Sequence, residues 1–248
     1  MSAAEGPLGY RAFLFDLYGT LADIHTDENQ PSLWKQMAGF ALSRGADWEA
    51  ASLRRAYLAA VREEEARLAR RDRDLPGALP EIDLARVFAR LYRDKGLEPG
   101  PELIAETALR FRRASTTHLR LYAGARELLS ALRRQGRVLL LSNAQSLFTR
   151  PELELLGLAR AFGGIYLSSE AGCKKPDPRF FRLALEREGL AAADCLMIGN
   201  DPICDGQGAR ALGMDAWVIR SALSPREIAG GYDQKGMDLK KLKRRLTR

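Results

Sequence analysis

The sequence predicts an α/β fold: a doubly wound parallel sheet, interrupted after its first strand by an all-helical insert. Three observations carry this expectation. From Gly124 onward, apolar runs of strand length alternate with helix-length stretches, as in parallel strands joined by right-handed crossovers. An isolated run of the same kind, Ala12 to Phe15, stands far upstream and stops on a carboxylate, Asp16. Between the two, from Ala46 to about His118, apolar residues recur at helical intervals and no strand pattern emerges.

Taken in order, residues 1–9 read as a loose N-terminus, and the first strand leads into Gly19-Thr20. Asp23 to Gln30 is a polar stretch. Pro31 and Ser32 open a helix with Trp34, Met37, Ala38 and Ala41 on one side. Leu53, Tyr57, Val61 and Leu68 mark another helix, then Leu84, Val87, Phe88 and Leu91, then Ile104, Ala108 and Phe111. Prolines and glycines at 76, 77, 80, 99, 100 and 101 separate them. After Gly124 come a helix to Gln135, a strand Arg137 to Leu141 ending on Ser142-Asn143, and a helix from Pro151 to Leu156. A short strand, Ile165 to Leu167, precedes the loop Gly172 to Asp177. Pro178 then starts a helix capped by Asp177. A strand from Cys195 to Ile198 ends on Gly199-Asn200-Asp201, a helix runs to about Leu212, and a last strand covers Ala216 to Ile219.

At 46% hydrophobic and 29% charged, the 248 residues have an ordinary globular composition. No apolar stretch is long enough to cross a bilayer and no signal peptide is evident, so a cytoplasmic protein is expected. Cys173, Cys195 and Cys204 are odd in number and lack metal-ligand spacing, which points to reduced thiols. Between Gln234 and Arg248, seven basic residues face one acidic residue, so this tail carries six of the seven net positive charges. Leu239, Leu242 and Leu246 give it a helical apolar stripe. A docked terminal helix with a solvated basic face is therefore expected, with nucleic acid as the weaker reading.

In a parallel sheet the carboxyl ends of all strands lie on one edge. Four such ends carry polar groups: Asp16; Ser142 with Asn143; the Lys175 loop; and Asn200 with Asp201 and Asp205. Each has a plain structural alternative as a cap, turn or solvated charge. Together they describe a nucleophilic carboxylate, donors for an anion, a neutralising ammonium and further carboxylates suited to Mg²⁺.

These residues resemble the haloacid dehalogenase superfamily of aspartate-nucleophile hydrolases. The resemblance covers most of residues 10–220 and rests on DLYGTL at Asp16, LLLSN ending at Asn143, KKPDPRFF around Lys175 and IGNDPICD from Ile198. It implies a Rossmann-like core domain (1–22 and 119–248) and a helical cap domain (23–118). It also implies catalytic roles for Asp16, Thr20, Ser142 and Lys175. Tyr18, Gly19 and Asn143 would contact substrate, and Asp16, Tyr18 (through its carbonyl), Asp201 and Asp205 would hold Mg²⁺, with Asp201 the more direct contact. Phosphatases of this family place an aspartate acid where this chain has Tyr18, whereas Tyr-Gly-Thr is similar to its metal-independent 2-haloacid dehalogenases. Lys35 stands where those dehalogenases use an arginine for halide. Three functions follow as expectations, led by a Mg²⁺-dependent phosphatase acting on a small phosphorylated metabolite. The others are a 2-haloacid dehalogenase and a non-catalytic phosphate-ligand-binding module.

Overall fold

The computed structural model describes residues 9–247. Its elements begin with β1 (Ala12–Phe15), β2 (Ala22–Thr26) and four helices: α1 (Pro31–Ser43), α2 (Ala50–Arg71), α3 (Leu84–Arg93) and α4 (Pro101–Ser115). There follow β3 (Thr116–Leu121), α5 (Ala125–Leu132), β4 (Arg137–Ser142), α6 (Ser146–Leu155), β5 (Gly164–Leu167), α7 (Ser168–Ala171) and α8 (Pro178–Glu188). The chain closes with β6 (Cys195–Gly199), α9 (Gly208–Arg210), β7 (Asp215–Arg220), β8 (Gln234–Lys235) and α10 (Leu239–Leu246). Most of the expected loose N-terminus lies outside the described residues.

Six strands form one parallel sheet in the order β5-β4-β1-β6-β7-β8. β1 is central, and the chain winds outward on both sides of it, so Asp16 sits at the point where strand order reverses. That is where open α/β sheets hold ligands. Successive side chains of a strand point to opposite faces. Phe13 and Phe15 accordingly pack with Leu128, Leu132 and Leu153, while Ala12 and Leu14 pack with Phe180, Phe181 and Ala184. Both faces are covered, which is why β1 and β4 read as unbroken apolar runs.

The helical insert has its own core, built from Leu33, Trp34, Tyr57, Phe88 and Phe111, with Phe148 of α6 joining it. Trp34 and Phe111 meet edge to face at 5.7 Å. Burying such a ring is worth about 1.5–3 kcal/mol over leaving it exposed.

Several elements depart from the sequence reading, β2 and α6 among them. The polar stretch after Asp23 begins as strand β2, paired antiparallel with β3, Ile24 opposite Leu119 and His25 opposite His118. Its partner lies far along the chain and its alternation is short, so local pattern does not reveal it. Both expected domain boundaries, after 22 and before 119, fall within this two-stranded sheet. α6 starts at Ser146 and carries Pro151 inside it, not at its first turn. The basic tail forms α10 as expected, with Leu239, Leu242 and Leu246 buried in the same core as α5; Arg248 is not among the described residues.

Candidate active site

β1 delivers Asp16 to the sheet edge with its amide donating to Ile198 O at 2.9 Å. The next turn is tight: Leu17 O accepts from the amides of Thr20, Leu21 and Ala22. Gly19 takes φ +82°, and a Cβ there would stand 2.4 Å from Asn200 Nδ2, so glycine is required twice over. This turn lets the chain leave the sheet without covering Asp16.

Asp16 is buried at 8% exposure, and its two oxygens differ. Oδ1 accepts from Ser142 Oγ at 2.9 Å and from Lys175 Nζ at 2.9 Å. Oδ2 accepts no hydrogen bond from any described residue. One oxygen is thus anchored and the other is left to react. Lys175 is 2% exposed and spends its three donors on Asp16, on Leu141 O at 2.7 Å and on Asp205 Oδ1 at 2.7 Å. Burial alone would depress its ammonium, but the carboxylates of Asp16 and Asp205 outweigh it and hold the lysine charged. Burial pushes the Asp205 carboxyl up, against the pull of Lys175.

The structure brings Asp16, Ser142, Lys175 and Asp205 into one bonded set and places Thr20 beside it. Thr20 Oγ1 donates to Asn200 Oδ1 at 3.2 Å. Asn143 has a different task from the expected substrate contact. Its Oδ1 accepts from Lys175 N at 2.7 Å and its Nδ2 donates to Lys175 O at 2.9 Å, so it clamps the lysine's backbone. Asp201 caps the segment that follows it, accepting at Oδ1 from the amides of Ile203 and Cys204. Asp205 Oδ2 takes the amides of Asn200 and Asp201, both at 3.0 Å. Lys35 lies on the exposed face of α1.

Tyr18 turns away from Asp16. Its hydroxyl donates to Glu152 of α6 and lies 3.0 Å from Thr149 Oγ1. Arg112, at the end of α4, pairs with Glu152 at 2.6 Å and sits 5.6 Å above the Tyr18 ring. Burial, followed by the Glu152 charge, pushes the phenol's pKa well above its ordinary value. A phenol so placed is a structural strut and not a proton donor to the site.

Asn200, expected at the end of β6 but given no role, faces the Gly19-Thr20 turn. Sequence reasoning missed the segment from Leu79 to Leu84, which grips the loops on both sides of Lys175. Lys174 N donates to Leu79 O at 2.9 Å, Leu79 N to Asp177 Oδ2 at 2.9 Å, and Glu81 N to Gly172 O at 3.2 Å. Gln145 closes the other side, donating to Ile82 O at 2.9 Å and accepting from Leu84 N at 3.0 Å. In the sequence, only Pro76, Gly77 and Pro80 marked this stretch, as punctuation.

The donor set limits how a metal could be held. Among the described residues no group of three His, Cys, Asp or Glu side chains gathers as a metal cluster. Of the four expected ligands, Asp205 is committed to Lys175 and two amides, and Asp201 caps a helical segment through Oδ1 alone. The Tyr18 phenol leads elsewhere, though the expected contact is its carbonyl. Next to Asp16, the Asp201 carboxylate and the Asn200 amide oxygen remain for a metal. This set does not fit an all-protein cage. It does fit a magnesium ion that keeps several waters and takes other ligands from a substrate phosphate.

A model of the haloacid dehalogenase-like hydrolases matches residues 10–213. The chain belongs to this family. It is 35% identical to a phosphoserine phosphatase of Thermus thermophilus over 156 residues, 62% of each chain. The chain thus spans under two thirds of the length of that curated relative. Among solved structures it resembles a haloacid dehalogenase-family phosphatase from Thermococcus onnurineus at TM-score 0.58 and 19% identity, covering 95% of this chain and 97% of that one. It also resembles the defluorinating L-2-haloacid dehalogenase Rha0230 at TM-score 0.56 and 19% identity, over the full length of both. At such identities these two likenesses speak to fold alone.

Proposed function

We propose that this hydrolase is a phosphoric monoester hydrolase acting on a small phosphorylated metabolite through an aspartyl-phosphate on Asp16. The observation that carries the reading is the asymmetry of Asp16, with Oδ1 held by Ser142 and Lys175 and Oδ2 free. Oδ2 attacks phosphorus, the bond from phosphorus to the ester oxygen breaks, and the leaving oxygen takes a proton from water. A second water then attacks the phosphorus of the aspartyl-phosphate, releasing inorganic phosphate and restoring Asp16. Tyr18, donating to Glu152, does not supply the proton.

Charge supports a Mg²⁺ requirement. Two carboxylates and one ammonium leave the bonded set one unit negative, and a phosphate ester adds more negative charge. A divalent cation held at Asn200 and Asp201, beside Asp16, would offset that repulsion and polarise the phosphoryl oxygens. The identity to phosphatase-named relatives over part of the chain supports the same substrate class. Three free cysteines, two of them buried, agree with a reducing, cytoplasmic setting.

A second reading, displacement of halide from a 2-halocarboxylate, is favoured by one observation. A monoanionic substrate suits a site with a single free carboxylate oxygen and no aspartate at position 18. The discriminating experiment is hydrolysis of an aryl phosphate by the pure protein with Mg²⁺ and then with excess chelator, with Asp16→Asn as blank. Turnover that needs both Mg²⁺ and Asp16 is the expected result. Chelator-resistant halide release from chloro- or bromo-carboxylates, without phosphate release, would move the assignment to the dehalogenase. Bound phosphate without turnover of either substrate would leave a binding module.

A further inference from the structure

Many of the surface arginines are matched by carboxylates, as in Arg44 with Glu106, Arg67 with Glu64 and Arg150 with Glu170. The flank formed by α5 and α10 is different. Leu239, Leu242 and Leu246 seat α10 against the core that also holds Leu128, Leu129 and Leu132 of α5. The two helices approach closely at Gly124, where a Cβ would meet Lys240 Cγ at 3.0 Å. This docking fixes Lys240, Lys241 and Arg244 on the solvent side.

α5 also forms one wall of a groove of ≈ 380 Å³ lined by Arg126, Arg133 and Arg160 and by no carboxylate. Arg126 donates to the carbonyls of Leu156 and Gly157, and Arg133 to that of Arg160 at 2.9 Å. These bonds aim the guanidinium groups without cancelling their charge. All six cations are exposed, and among the described residues none lies within ion-pair distance of a carboxylate. Six cations gathered on one face without a carboxylate partner raise the local potential for a polyanion.

We infer that the α5–α10 flank is a docking surface for the phosphate backbone of duplex nucleic acid. Three features choose this occupant. A single strand is held largely by stacking on exposed aromatic rings, and Trp217, beside α10, lies under the Arg245 guanidinium at 4.4 Å. A membrane-surface helix must bury its own apolar face in lipid, whereas the leucines of α10 are already buried in the protein. A duplex presents closely spaced phosphates, which spread lysines and arginines contact without base readout. Arg133 and Arg160 lie toward the amino-terminal edge of the sheet, since Arg133 just precedes β4, so this surface is separate from Asp16 and stands independently of the proposed reaction.

The test is fluorescence anisotropy of a labelled DNA duplex of mixed sequence against the full chain, repeated across a salt series. The comparison protein carries Lys240→Glu, Lys241→Glu and Arg244→Glu, exposed positions outside the catalytic set. The expected result is binding at low salt whose logarithm falls linearly with that of salt concentration. The triple variant should bind at least about tenfold more weakly and lose roughly 0.9 of slope for each phosphate contact removed. Hydrolysis and melting temperature should stay unchanged. Equal affinity of the variant, binding that ignores salt, or a preference for anionic vesicles or polyglutamate over the duplex would each overturn the inference.

Discussion

The joint between Arg112, Glu152 and Tyr18 offers the sharpest test of how the helical insert is fastened to the sheet. Replace Glu152 by Gln. Among the described residues the Arg112–Glu152 pair is the most enclosed ion pair outside the Asp16–Lys175–Asp205 set, with side chains 16% and 9% exposed, so solvent screens it little. Glu152→Gln leaves a guanidinium in an aromatic setting between Phe148 and Tyr18, at 5.1 and 5.6 Å, and weakens the acceptor of the Tyr18 hydroxyl. Removing one member of such a pair costs about 3–5 kcal/mol. For a chain of this size that corresponds to a melting temperature lower by roughly 6–20 °C. The assay is thermal and urea unfolding of Glu152→Gln, Arg112→Leu and the double variant. Because part of each single loss comes from the stranded partner, the double variant should lose less than the two singles combined, by a coupling energy of about 1–3 kcal/mol. Strictly additive losses would refute the reasoning and mean that the pair does not act as one unit.

Four other outcomes follow from the site. Gly199→Ala should abolish turnover, because its Cβ would lie 2.1 Å from Asp205 Oδ2 and drive that carboxylate off Lys175; initial rates with a circular dichroism check on folding measure this. Asn200→Asp should lower the Mg²⁺ concentration giving half-maximal rate by about tenfold or more, through a second carboxylate oxygen at the mouth, as a Mg²⁺ titration of rate would record. Burial, then the Asp194 charge at Cys195 and the Asp201 charge at Cys204, push both thiols up to about 12. Iodoacetamide at pH 8 should therefore label neither in the native protein and both in urea, by intact mass. Burial pushes the Asp177 carboxyl up, but the Arg179 guanidinium and the amides of Leu79 and Arg179 outweigh it and hold it below the usual range. Its stabilisation is present above the ordinary carboxylate value and is lost as pH falls through the lower folded value. Asp177→Asn should thus be less stable at neutral pH and show a shallower acid limb in melting temperature against pH.

How far the sequence could be read depended on whether each signal was local. β1, β4 and β6 are buried on both faces, so their composition alone announces them, and their order along the chain places Asp16, Ser142 and Lys175 at a shared edge. Lys175 could be preferred over Lys174 because it adjoins Pro176; in the fold Lys174 sits 43% exposed and Lys175 is enclosed. Features made by distant partners were not legible. β2 exists because β3 pairs with it across the whole helical insert. Asp201 and Asp205 have the same side chain and differ only in which amides and ammonium the backbone brings to them. Asn143 reads as a substrate contact until the Lys175 backbone is seen to occupy both ends of its amide. Tyr18 looks like a change of chemistry in the sequence, and its destination, Glu152 of α6, is a matter of tertiary packing.

The Leu79–Leu84 segment changes what kind of moving part the helical insert can be. A body joined to another by one two-stranded ribbon swings like a door. Here a second attachment, near Lys175 and remote in sequence from the ribbon, restrains that rotation: the segment before α3 bonds to the loops around Lys175, and the end of α2 reaches the same region through Arg71 to Gly172 O and Asp72 to Arg179. The insert therefore stands on two feet, the β2–β3 ribbon and the Leu79–Leu84 segment, and a change in either foot is felt at the Asp16–Lys175 set between them.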